Sequence, residues 1–200
     1  DGRLGRGGAS EMNLVEGLDQ IKGVAAGACH SLAFTSKGTL YAWGLASDGR
    51  LGFTTEDACA PPTRVTNDML EELVDDYRNP KGYDCVIPVG GGKDSYYQTH
   101  LAVKKLGLRP LLVTYHGNNF LPEGEYNLQL MREAFGADHI IYRPGLDVLI
   151  KMNLLGFKLH GDMNWHNHAG IKTYPIKQAV LHDIPLMLWG DHGWVDLGAK

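Results

Sequence analysis

The stretch Val86-Ile87-Pro88-Val89-Gly90-Gly91-Gly92-Lys93-Asp94-Ser95 carries the residue types that an anion site needs. Three successive glycines let the backbone approach an anion closely, with its N–H groups turned inward. A helix starting at Asp94 or Ser95 adds its positive dipole end and its unpaired N–H groups. Lys93 offers a point charge and Ser95 a hydroxyl donor. Asp94 would repel a phosphate, so it caps the helix or holds Mg²⁺. The loop is not of the Walker A type: Ile87 stands where its first glycine is required, and Asp94 follows the lysine in place of Ser or Thr. Nor does it fit G-x-G-x-x-G, since Ser95 occupies the third glycine position.

Other residues could do chemistry. His160, Asp162, His166 and His168 form the densest cluster of metal-ligand types, open to a zinc reading or to a polar loop meeting sugar hydroxyls. Trp165 beside them could stack on a sugar or base, or fill a gap at the rim. Asp191 and His192 follow an apolar run directly, where they could hold Mg²⁺ and position a nucleophile, or cap a helix. Asn118, Asn119 and Asn127 follow another apolar run and could line a substrate cleft.

These residues need elements to position them, and the elements alternate. Thr66 or Asn67 caps a helix to about Arg78, with Leu70, Leu73, Val74 and Tyr77 on one face. Asp84–Val89 reads as a buried strand, Ser95–Leu106 as a helix, and Pro110–Tyr115 as a second strand. Helix 123–135, strand 139–143, helices 147–157 and 172–182, and strand 186–189 follow. The alternation predicts an α/β unit: a parallel sheet with helices on both faces, whose ligands lie beyond the carboxyl ends of the strands.

The first sixty residues differ. They hold 11 of the 26 glycines, and Asp1-Gly2-Arg3-Leu4-Gly5 recurs as Asp48-Gly49-Arg50-Leu51-Gly52. His30–Thr35 and Thr39–Trp43 read as a hairpin turning at Ser36-Lys37-Gly38. About four short strands in a period of this size suit a propeller blade. Ile21–Phe34, then Gly38-Thr39-Leu40-Tyr41-Ala42-Trp43-Gly44 and Gly-Arg-Leu-Gly, resemble an RCC1 repeat over about residues 1–53. That resemblance implies a β-propeller blade, incomplete as a ring, of the kind whose rings bind partners. Residues 54–65, with Pro61-Pro62, read as a linker to a unit at 66–200. The chain opens at Asp1 without methionine and stops at Lys200, as a fragment would.

Gly90–Ser95 in turn resembles the S-G-G-x-D-S signature of the PP-loop ATP pyrophosphatases, with Gly90 in place of the leading serine. Tyr83–Val89, Tyr96-Tyr97-Gln98, Leu108–Tyr115, Gly124–Leu128, the stretch from Asp162 to Pro175, and Leu188-Trp189-Gly190-Asp191-His192-Gly193 are similar to the N-acetyl sugar amidotransferases of bacterial surface-glycan (lipopolysaccharide) assembly. The resemblance implies an adenine nucleotide alpha hydrolase-like (HUP) fold that takes ATP and Mg²⁺. It implies nucleotide contacts at Gly90 to Ser95, Val113 and Thr114, and catalytic roles for Lys93, Asp94 and Asp191. Asn119, Asn127, His168 and Gly190 would meet a nucleotide-linked amino sugar. Cys29, Cys59 and Cys85 form no CxxC pair and carry no glutaminase signature, so ammonia would come from a partner glutaminase. A tRNA-modifying PP-loop enzyme, or an RCC1-type interaction module with an inert ATPase half, are the competing readings.

Composition narrows the field. A net charge of −4 with no basic block argues against nucleic-acid capture. No apolar run approaches a membrane span, and three unpaired cysteines suit a reducing cytoplasm.

Overall fold

The computed structural model describes residues 15–47, 50–117 and 120–189. The chain divides into two compact units between Asp76 and Tyr77.

In the first unit β1 (Ile21–Ala26), β2 (His30–Thr35), β3 (Leu40–Leu45) and β4 (Cys59–Val65) form an antiparallel sheet in chain order. The expected hairpin is the β2–β3 pair. Its turn closes through Gly38 N–H donating to the Thr35 carbonyl at 3.0 Å, and Gly38 takes φ +80°, a conformation open to glycine at little cost. Ala42, Leu51, Phe53 and Ala60 form a small core, with Leu32, Val65 and Met69 against it. The stretch read as a linker is corrected here. Residues 59–65 are a strand, paired with β3 from Leu40↔Val65 to Leu45↔Cys59. Pro61 and Pro62 are tolerated because β4 lies at the sheet edge and the two prolines fall where its register with β3 shifts, between Ala42 and Gly44, so neither interrupts a regular ladder. Helix α1 (Asn67–Asp75) follows, its first turn capped by the Thr66 hydroxyl, which accepts from Met69 N–H. The helix belongs to the first unit, so the division falls after it rather than before.

The second unit alternates strands and helices: β5 (Cys85–Pro88), α2 (Lys93–His100), β6 (Pro110–Tyr115), α3 (Pro122–Phe135), β7 (Asp138–Tyr142), α4 (Leu146–His160), α5 (Trp165–Leu181) and β8 (Leu186–Met187). Its four strands are all parallel, in the order β7-β6-β5-β8. Alternation along a strand sends neighbours to opposite faces. Val86, Leu111 and Val113 pack with Ala179 and Ile184, the face that α5 covers. Ile87 and Leu112 point the other way and are also fully buried. Burial on both faces explains why β5 and β6 are continuous apolar runs.

Asp84 braces the start of this sheet. Its buried carboxylate accepts from Asn79 N–H and Arg109 N–H, each at 2.7 Å, and pairs with the Arg109 guanidinium. Helix α2 continues into a π-helical turn at residues 101–105, where Leu106 N–H reaches back to Leu101. The largest departure from expectation is α5, which begins at Trp165, seven residues before Lys172. Its histidine-rich start hides helical periodicity, and Pro175 sits inside it. Helices α4 and α5 meet closely at Gly156, where a Cβ would stand 2.7 Å from the Asp162 carbonyl oxygen. Among the described residues no helix is long and apolar enough to cross a membrane.

Candidate functional site

A cavity of about 380 Å³ opens beyond the carboxyl ends of β5 and β6. That is within the usual size for a small-molecule site. Gly90, Gly92, Asp94 and Ser95 line it from the loop, and Val113 and Thr114 from the end of β6.

The three glycines do different work. Gly91 takes φ +76°, and a Cβ there would stand 3.2 Å from the Gly124 carbonyl oxygen and 3.3 Å from Leu128, so the loop lies hard against α3. Cβ atoms on Gly90 or Gly92 would meet nothing within 4 Å. Gly92 is the N-cap of α2 and has no side chain to satisfy the first turn, so those N–H groups remain for a ligand or water. The Ser95 hydroxyl donates back to the Gly92 carbonyl at 3.0 Å. Lys93 does not line the cavity. Its ammonium pairs with the Asp94 carboxylate at 2.7 Å on the exposed side of the loop.

Thr114 braces the wall. Its hydroxyl donates to the Val89 carbonyl at 2.6 Å and lies 2.8 Å from His139 Nε2. One hydroxyl proton cannot serve both contacts, so His139 Nε2 carries the hydrogen that Thr114 accepts. Burial, aided by Arg132, pushes the His139 pKa down to about 4, consistent with a neutral ring.

Sequence reasoning missed much of the opposite wall. Asn167, Ile171 and Pro175 recur at four-residue spacing on one face of α5 and line the cavity, with Phe120, Tyr115 and Trp189 nearby. Reading the helix from Lys172 concealed that stripe. Pro175 has no N–H, so the Ile171 carbonyl lacks its usual helical donor at the cavity wall. Tyr115 stacks toward Tyr142 and Tyr174, and burial raises its pKa above the ordinary phenol value.

Some expected residues stand elsewhere. His168 is half-buried and does not line the cavity, while its neighbour Asn167 does. Asn127 lies on α3 with its Cβ facing Gly91 from outside. Asn118, Asn119, Gly190, Asp191 and His192 lie outside the described residues. Among the described residues no three His, Cys, Asp or Glu side chains converge to hold a metal. His160 stacks on Trp165 at 5.0 Å, and His166 hydrogen-bonds Asn153 at 2.6 Å. Cys85 on β5 is buried, and that burial together with Asp84 raises its thiol to about 12. Cys29 is instead half-buried in the β1–β2 connection.

Residues 21–50 match the model of the regulator of chromosome condensation (RCC1) repeat, the segment that holds β1, β2 and β3. The chain is 33% identical over 123 residues, 56% of its length, to the E3 ubiquitin-protein ligase HERC2 of Homo sapiens, and equally so to that of Mus musculus. It spans about 2% of the length of those relatives. An RCC1-type repeat is therefore present in the first unit.

Proposed function

We propose that the first unit serves as an RCC1-type interaction module, one blade of a surface that docks other proteins. The observation that carries this is the match over residues 21–50, laid on an antiparallel sheet with the strand count of a blade. Its small core and exposed Val24 and Phe34 suit a repeat whose apolar faces are completed by neighbours. From the long relatives the proposal takes only the repeat. Hydrogen exchange across β1 to β4 tests it, in the chain alone and with a neighbouring RCC1-type repeat fused ahead of residue 15. Protection that rises at least tenfold supports the module; unchanged exchange removes it.

A second reading, favoured by the cavity, concerns the second unit: nucleotide chemistry of the PP-loop kind. It rests on the motifs and on the loop's open face, and neither comparison speaks for it. The Gly90–Gly92 backbone and the first turn of α2 would hold the pyrophosphate part of ATP, and Val113 and Thr114 would face the adenosine. Asp94 lines the cavity and is the described residue that would hold Mg²⁺, which supplies charge neutralisation when bound; its carboxylate would first have to leave its pair with Lys93 on the exposed side of the loop. A substrate oxygen would attack the α-phosphorus, and the loop's donors would stabilise the departing pyrophosphate. Ammonia from a partner glutaminase would then displace AMP from the adenylated sugar in the cytoplasm. Release of AMP and pyrophosphate with ATP, ammonia and a nucleotide-linked acetamido sugar is the expected result. Release of ADP in its place would refute the reading.

A further inference from the structure

Helix α4 is apolar on nearly every side, yet only Gly156 of its fifteen residues is buried. A helix of that kind is expected to be covered by neighbours. Leu146, Ile150, Leu154 and Phe157 are 68%, 58%, 51% and 57% exposed. Their 4-4-3 spacing lays them in one stripe along three turns. α5 does not cover the stripe. It meets α4 on an adjoining side, through the Asn153–His166 hydrogen bond, the approach of Trp165 to Gly156 and the His160–Trp165 stack.

The other flank of the stripe carries Asp147, Lys151 and Lys158, all exposed. Their order along the helix chooses the occupant. Two antiparallel helices bring each flank against the same flank of the partner. With the seam centred between Ile150 and Leu154, Asp147 of one copy stands opposite Lys158 of the other and symmetry repeats the pair, two attractive contacts against the single like-charge contact of the two Lys151 side chains at the axis. A parallel pair would instead need the flank that α5 occupies. We propose that α4 is a self-docking helix, through which two copies of this chain associate antiparallel about a two-fold axis. A seam of four apolar side chains per copy is at the small end of specific interfaces, so the dimer is concentration-dependent.

Sedimentation equilibrium of the 200-residue chain tests this. The mass should rise from 22.0 kDa toward twice that value as concentration enters the micromolar range. Ile150→Glu with Leu154→Glu should hold the chain monomeric, while Leu155→Glu, beyond the charged flank, should leave the dimer intact. Asp147→Lys should raise the dissociation constant roughly tenfold, since it turns two attractive pairs repulsive. Adding Lys158→Asp should restore it. The charge variants sit on exposed positions, so they keep the test decisive even if the double glutamate variant fails to fold. A chain that stays monomeric at roughly 200 µM, well above the range expected of a weak seam, overturns the proposal. So does a dimer indifferent to Ile150 and Leu154, or a charge swap without rescue.

Discussion

The first unit and the αβ unit bury their apolar side chains in different ways. The first unit gathers Ala42, Leu51, Phe53 and Ala60 into one buried cluster and leaves Val24 and Phe34 exposed to water. The αβ unit encloses β5 and β6 on both faces, with Val86 and Leu111 on one and Ile87 and Leu112 on the other. The first unit carries an RCC1-type repeat whose sheet is built from local turns and short pairings. The αβ unit encloses its central strands yet leaves α4 open to water, and its cavity lies where segments far apart in sequence meet.

Unequal effects on the two units would sharpen that contrast, and equal effects would break it. Asp84→Ala removes the buried carboxylate that accepts from the Asn79 and Arg109 N–H groups and pairs with the Arg109 guanidinium. The αβ unit should lose about 3 kcal/mol. Urea unfolding followed in each unit should show the blade's transition unmoved; a joint shift would mean that the units do not unfold independently.

Acid should act next most strongly. The folded pKa of His139, about 4, lies below the ordinary 6.5, so between those values the unfolded chain binds a proton that the folded one refuses. Stability is full above pH 6.5 and falls as pH drops toward 4. The loss should be about 2 kcal/mol after allowance for solvent screening. His139→Gln should flatten that slope in thermal melts of the αβ unit.

Gly91→Ala forces a side chain into positive φ and against Gly124 and Leu128. It should cost about 1–2 kcal/mol of stability and weaken nucleotide binding by calorimetry. Gly90→Ser enters open space and supplies a hydroxyl donor beside the cavity. ATP should bind roughly fivefold tighter, about 1 kcal/mol; no gain would count against phosphate at that loop. Smallest of all, Val24→Lys on the blade should stay within about 0.5 kcal/mol in this chain alone.

Much of the fold is legible in the residues themselves. Apolar runs bounded by glycine mark β5 and β6, the Ser-Lys-Gly turn marks the β2–β3 hairpin, and the loop from Gly90 to Ser95 lies at the cavity as its glycines suggest. What could not be read depends on partners far away in sequence. Pro61 and Pro62 read as linker because proline opposes strands, and only a position at the sheet edge, where the register with β3 shifts, relieves that conflict. Asn167 went unnoticed because a Gly, a Pro and two histidines obscure the start of α5. That Thr114 spends its hydroxyl on Val89 and His139 depends on β6 lying between β5 and β7 in the sheet, an order that no local pattern encodes.

The contact at Gly156 has a mechanical meaning. With only a hydrogen at that position, the two arms of the α4–α5 corner can close onto one another, and a single methyl group there would act as a wedge between them. The stripe from Leu146 to Phe157 rides on the outer arm of this corner, so a wedge would swing the whole stripe through an arc about Asp162. The direction in which α4 offers its apolar stripe is thus set by the omission of one carbon atom, at a point with no apolar side chain of its own.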